Sequence, residues 1–343
     1  MSGQAIRPGV ADELRGHHVL ALPHGPEPDE LGALAASRFP AARWQDPGGR
    51  AGDGGTVRAL RLGRMSRLVG PHPVSPADVA ALGLPGSPAV VWWLDCPPER
   101  GDPPGPGGDR LGLKRGFPEG MPVRDEERAL LWLVAVARRL GGSVRIGGTG
   151  VVLTPDPAAM VDLVLYADLW LEPDELLALV RPVVRQARFS GEGPQPFVAD
   201  EPSLAQFAAH LSRHGVSDIW EAARLDAESA AFDAAALSGP SADSGYGVEA
   251  DLDVDGILAV EVAAQDQAPR AVAASQWPEV VAYRMHWEPV DVVELETERP
   301  SLAHRVARAR VTPQIRATAR ALHAAVGGLI VDEAAFPVDP AGL

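Results

Sequence analysis

The sequence predicts an α+β protein built by internal duplication of a ferredoxin-like sandwich unit. Three observations carry that expectation: a repeated octapeptide, a shared order of the segments after each copy, and strand-like and helix-like apolar spacing mixed within both halves. "EPDELGAL" (Glu27–Leu34) returns as "EPDELLAL" (Glu172–Leu179), identical at seven of eight positions. A single match in an Ala/Leu-rich chain means little, but a series of matches in the same order is the signature of a repeat. An α/β fold with a mixed sheet is the alternative.

Each copy opens on a short apolar run, "HHVLALP" from His17 and "VDLVLYA" from Val161. Runs of that length, rich in Val and Leu and bounded by turn residues, predict strands. The octapeptides follow. Proline suits the first turn of a helix, and acidic residues there complement the helix dipole. Glu27, Asp29, Glu30 and Glu172, Asp174, Glu175 are therefore expected as helix starts rather than paired catalytic carboxylates.

The next segments differ in charge. "VRALRLGRMSRL" carries Arg58, Arg61, Arg64 and Arg67 at every third position, where the second copy has Glu249, Asp251, Asp253 and Asp255. The arginines are candidate ligand-binding residues for an anion or an acidic partner. In a strand, a spacing of three alternates between faces, so the four need not form one patch. "DLDVDG" (Asp251–Gly256) opens like a calcium loop but lacks the acceptor at position twelve, which is Val262. Its Asp255-Gly256 step favours a hairpin turn.

"VAALGLP" (from Val79) and "VAASQWP" (from Val272) lead into the strand-like "AVVWWLD" and "EVVAYRMHW". Trp92 and Trp93 are expected on opposite faces of their strand. Cys96 follows, the only cysteine, which excludes an internal disulfide and a cysteine-based zinc site. The stretch 97–123 is too long for a plain connector. Its Leu113, Phe117 and Met121 are candidates to cover a pocket or meet a partner, and Lys114 to bind an anion.

"RALLWLVAVARRLGG" and "QIRATARALHAAVGG" predict helices ended by paired glycines, Gly141-Gly142 and Gly327-Gly328. Gly147–Gly150 follows a helix and sits between two apolar runs, the reverse of the strand–glycine–helix order of a phosphate loop, so a hairpin turn is expected. The domain reading is a tail at 1–16, a first repeat at 17–156, and a second at 157–343 with a helical insert at about 186–244. That insert holds His210 and His214 at metal-ligand spacing but without an identifiable third ligand.

The net charge of −15 argues against nucleic acid as partner. It is uneven: residues 1–155 sum to +2 and residues 156–343 to −17. Forty-six per cent hydrophobic residues without a long apolar run, and no leader-like start, predict a cytoplasmic protein with no membrane partner. No GxSxG, Walker, HExxH or dinucleotide fingerprint is present. The functional expectation is a non-catalytic binding or regulatory protein, without cofactor or metal, for a small anionic ligand or a protein partner. A hydrolase or isomerase with a site near Cys96 and the 97–123 loop, or a structural component of a larger assembly, are the alternatives.

Overall fold

The first apolar run forms β1 (His18–Leu22), every residue of which is buried. In this computed structural model, which describes residues 10–26, 28–45, 57–190, 245–265 and 270–343 apart from 274 and 276, β1 lies inside a seven-stranded sheet. The meander β2 (Arg43–Gln45), β3 (Arg58–Arg61), β4 (Arg67–Pro73) and β5 (Val90–Asp95) brings β5 beside β1. β6 (Ser143–Arg145) and the edge strand β7 (Val152–Leu153) continue on the other side. All pairs are antiparallel.

The second sheet is formed by β8 (Leu163–Ala167), β9 (Arg188–Phe189), β10 (Tyr246–Asp251), β11 (Ile257–Ala264), β12 (Val281–Glu288), β13 (Leu329–Asp332) and β14 (Pro337–Val338). Its order, β9-β10-β11-β12-β8-β13-β14, follows the same path as β2-β3-β4-β5-β1-β6-β7. All its pairs are antiparallel too. The protein is thus a mixed α+β fold with two antiparallel sheets. "DLDVDG" forms the β10–β11 hairpin, and Ile146 to Val151 forms the turn between β6 and β7.

Helices cover both faces of the first sheet. α2 (Pro28–Ala36) and α5 (Arg124–Arg139) pack on the face of Leu20, Leu22, Trp92 and Leu94. α1 (Val10–Leu14) and α3 (Pro76–Leu82) cover the opposite strip of Val19, Ala21, Val91 and Trp93. Trp92 and Trp93 accordingly point to opposite faces, and the stretch expected as a tail contributes the buried Ala11 and Leu14. α4 (Leu113–Gly116) is a single turn inside the 97–123 segment. In the second half, α6 (Pro173–Val180) and α8 (Leu302–Val326) cover one face, and α7 (Arg270–Ala273) supplies Val272 to the other. Residues 191–244, with most of the expected helical insert, His210 and His214, lie outside the described residues.

The glycine pairs explain themselves. Gly141 has φ 67° and Gly142 N–H bonds Ala137 O at 2.7 Å, a Schellman stop. A Cβ on Gly142 would sit 2.4 Å from Ala21 O. Gly327 has φ 68°, and a Cβ on Gly328 would sit 2.1 Å from Tyr166 O. In both halves the first glycine turns the chain out of its helix, and the second lets the next strand close on the central one.

The halves share a core. The turn after β13 inserts Phe336, fully buried, and Ala334 into the cluster of Leu130, Trp132 and Leu133. Asp332 shapes that turn by accepting the N–H groups of Ala334 and Phe336 at 2.9 and 3.0 Å. A truncation here removes a contact between halves. Phe336→Ala should destabilise the whole chain by about 3–5 kcal/mol in urea unfolding, the range for a buried aromatic. A loss under about 1 kcal/mol would show that the turn is only resting on the first half.

Candidate functional site

The residues singled out by charge pattern are dispersed. Arg58 lies over the Trp44 ring at 4.6 Å from its centroid. Arg61 donates to Gly63 O, and Arg67 pairs with Asp95. Arg61 and Arg67 are cross-strand partners, whereas Arg58 shares the parity of buried Leu60 and so faces the other way. Arg64 is exposed in the turn between them. Lys114 Nζ donates to Gly105 O and Gly107 O, tying the 97–123 segment to itself. The segment is anchored by Leu113 and Phe117, which are buried in the first core, with Met121 packed against it. The Cys96 thiol donates to Pro97 O; burial and the carboxylates of Asp125, Glu99 and Asp95 push its pKa up to about 11. A thiol so placed is a poor nucleophile.

Two buried polar clusters remain, and they differ in how well they are satisfied. The first is closed. His18 Nδ1 accepts from Gly147 N at 3.1 Å, which fixes the tautomer, so Nε2–H donates to Glu126 Oε1 at 2.9 Å. Glu126 Oε2 accepts from Glu99 N and from Arg100, whose guanidinium covers the Phe117 ring at 4.8 Å. Burial and Arg100 lower the His18 pKa to about 4. Every hydrogen-bonding atom of the His18 ring and the Glu126 carboxylate is engaged, which makes this cluster an anchor for the start of the 97–123 segment rather than a binding site.

The second cluster is open and lies in the seam between the halves. Its cleft has a volume of about 130 Å³. The first half contributes Arg110 and Arg138. The stretch between β7 and β8 contributes Asp156 and Asp162, and the second half contributes Trp287, Glu294, Glu298, His304, Arg308 and Glu333. Three ion pairs bind the seam. Arg110 spans to Glu333 at 3.0 Å, Arg115 takes Glu298 at 2.7 Å, and Arg308, itself buried, pairs with Asp156. The 97–123 segment closes over them, with Asp109 N donating to Glu296 O at 2.7 Å.

Within this paired surface three groups stand apart. Arg138, in the last turn of α5, has no carboxylate in salt-bridge range among the described residues, and its Nε is buried without a hydrogen-bond partner. Burial and neighbouring Arg110 hold its pKa below the usual arginine range. His304 is only 8% exposed, stacks on Trp287 at 4.9 Å and leaves Nδ1 without a partner. Burial and Arg308 lower its pKa, so the ring is neutral near pH 7. Among the described residues Asp162 accepts only Trp287 N, at 3.0 Å; burial and Glu333 push its pKa up to about 6. Perturbed, under-satisfied groups converging on a cleft are the mark of a functional site. Among the described residues no cluster of His, Cys, Asp and Glu fits a metal ion, and no helix is long and apolar enough to cross a membrane.

Arg138, His304 and Asp162 do not stand out in the sequence. Arg138-Arg139 at a helix end resembles ordinary dipole compensation. A signal was present in α5 itself: it is apolar on almost every side, and such a helix must be covered twice.

The two shifted groups give opposite pH dependences. The folded His18 pKa lies below its unfolded value of 6.5, so protonation favours the unfolded chain. Stability should fall by about 3 kcal/mol as pH drops from 6.5 toward 4, and His18→Gln should lose that part of the acid sensitivity in urea titrations. Identical pH profiles for both proteins would contradict the assignment. The folded Asp162 pKa lies above its unfolded value of 3.8, so its ionisation costs stability as pH rises through about 6. Asp162→Asn keeps the oxygen that accepts Trp287 N. It should stabilise the chain by about 1–3 kcal/mol at pH 7.5 and by almost nothing at pH 3.5; equal shifts at both would count against it.

Compared with known proteins, the chain matches no family model, no curated sequence and no solved structure.

Proposed function

We propose that the chain is a cytoplasmic, non-catalytic binding protein made of two divergent copies of one ferredoxin-like α+β unit, and that it holds a small anionic ligand in the cleft between them. The common strand path supports the duplication, as do the two glycine pairs and the Asp-Pro-Ala turns at Asp156 and Asp339. Arg138 carries the binding reading. Arg110 and Arg308 of the same cleft spend their charge on Glu333 and Asp156, while Arg138 is held in the seam with no such partner among the described residues. Glu333, Asp332 and Asp156 act on it only at longer range, and a partly desolvated guanidinium with no direct counter-ion is less favourable than a paired one. His304 Nδ1 adds a second unpartnered polar atom among the described residues, and the neutral ring donates from it in the Nδ1–H tautomer. Lys114 belongs to the neighbouring compartment, whereas Arg58, Arg61, Arg64 and Arg67 do not line the cleft.

One observation favours a second reading, a component of a larger assembly. Val290, Val292, Val293 and Leu302 are each more than half exposed near the start of α8. Clustered apolar exposure of this kind suits a protein contact.

Thermal unfolding separates the two readings. At constant ionic strength, replacing chloride by acetate or phosphate should raise the melting temperature of the wild-type chain, as binding to the folded state requires. Arg138→Gln should remove that rise. An anion response that survives unchanged in Arg138→Gln would place binding elsewhere, and no response to any anion would leave the assembly reading.

A further inference from the structure

We infer that the ligand of the seam is a carboxylate with an apolar body, an amphiphile whose head sits on Arg138 and whose chain runs along α5. This rests on the anion-binding reading above and names the ligand class for it. The cleft does not end at Arg138. Arg110, Leu111, Arg138 and Glu333 also line a second compartment of about 450 Å³, so the two spaces meet at a shared wall. That compartment is bordered by Leu131, Val134 and Ala135 of α5, with Leu111 and Met121 of the 97–123 segment opposite, and its wall also carries Arg38, Asp109, Lys114 and Glu296.

Residues 131, 134, 135 and 138 follow the spacing of one helical face. They form an apolar stripe that ends on the unpaired guanidinium. Leu111, Met121 and Leu131 are only partly buried against the first core, so apolar surface remains open to an occupant. An inorganic anion would satisfy Arg138 and leave Leu131, Leu111 and Met121 facing water, since Val134 and Ala135 are already buried. A protein segment would have to pass beneath the 97–123 segment, which is fixed at its start by the Glu126 cluster and in its middle by the contacts of Asp109 with Glu296 and of Arg115 with Glu298. A narrow amphiphile matches both the charge and the surface: its carboxylate accepts from the Arg138 guanidinium, and its methylenes replace water along the stripe. The Arg110–Glu333 pair, on the wall common to both spaces, stands beside the point where the head would lie.

Isothermal titration calorimetry on the full chain tests this with three probes at pH 7.5: acetate, octanoate and octylammonium. Octanoate is expected to bind at least tenfold more tightly than acetate, and octylammonium not to compete. Arg138→Gln should weaken octanoate at least tenfold. Leu131→Asn should weaken octanoate severalfold and leave acetate unchanged. Equal affinities for acetate and octanoate, both lost in Arg138→Gln, would overturn the apolar-body inference while leaving an anion site. Octylammonium binding as well as octanoate would overturn the role of the head group. Failure of every anion to bind would overturn both this inference and the reading it rests on.

Discussion

The seam depends on one packing contact, the burial of Phe336 from the second half in the core of the first. A fully buried phenylalanine contributes on the order of 2–3 kcal/mol of transfer free energy, more once the cavity it would leave is counted. The ion pairs around it are partly exposed and worth much less each, about 0–1 kcal/mol. The hydrophobic contact therefore sets the closure, and the charged pairs set its register. Asp332 belongs to the first effect: its carboxylate accepts both Ala334 and Phe336 N–H groups and presents the ring.

Closure has a consequence for charge. The two halves of the sequence carry net charges of +2 and −17, and along the seam Arg110 and Arg115 of the first find Glu333 and Glu298 of the second. Arg138 stands out in the cleft because Arg110 and Arg308 beside it are paired. Closure also explains Asp162. A carboxyl pushed up to about 6 by burial and by Glu333 lowers stability near neutral pH, and packing alone gives no reason to keep it. The buried His18–Glu126–Arg100 cluster shows the contrast. There the same residue types are fully bonded, and the result is a fixed anchor for the 97–123 segment rather than an open site.

Much of the local structure was legible in the residues. Proline and acids at Pro28 and Pro173 start helices, Gly141 and Gly327 stop them, and Asp255-Gly256 turns a hairpin. These are decided by a few neighbouring residues, so the sequence suffices. The helices on the second face of the first sheet were less visible, because α1 and α3 bury only Ala11, Leu14 and Leu82 and leave a faint apolar pattern. Of the cleft, only the apolar run of α5, which calls for cover on both sides, left a trace in the sequence. Arg138, His304 and Asp162 are 24 to 166 positions apart in sequence and meet only when the halves close. Nothing local distinguishes Phe336 from any phenylalanine in a turn.

The halves fold as one unit closed at this seam, with the cleft as its product. Native-state hydrogen exchange measures that directly, because the slowest amides report the free energy of the opening that exposes them. Amides of β1 and β5 in the first sheet should open with the same free energy, to within about 1 kcal/mol, as those of β8 and β12 in the second. Two distinct plateaus, one per sheet, would mean that each half unfolds alone and that the seam is a contact rather than a shared core.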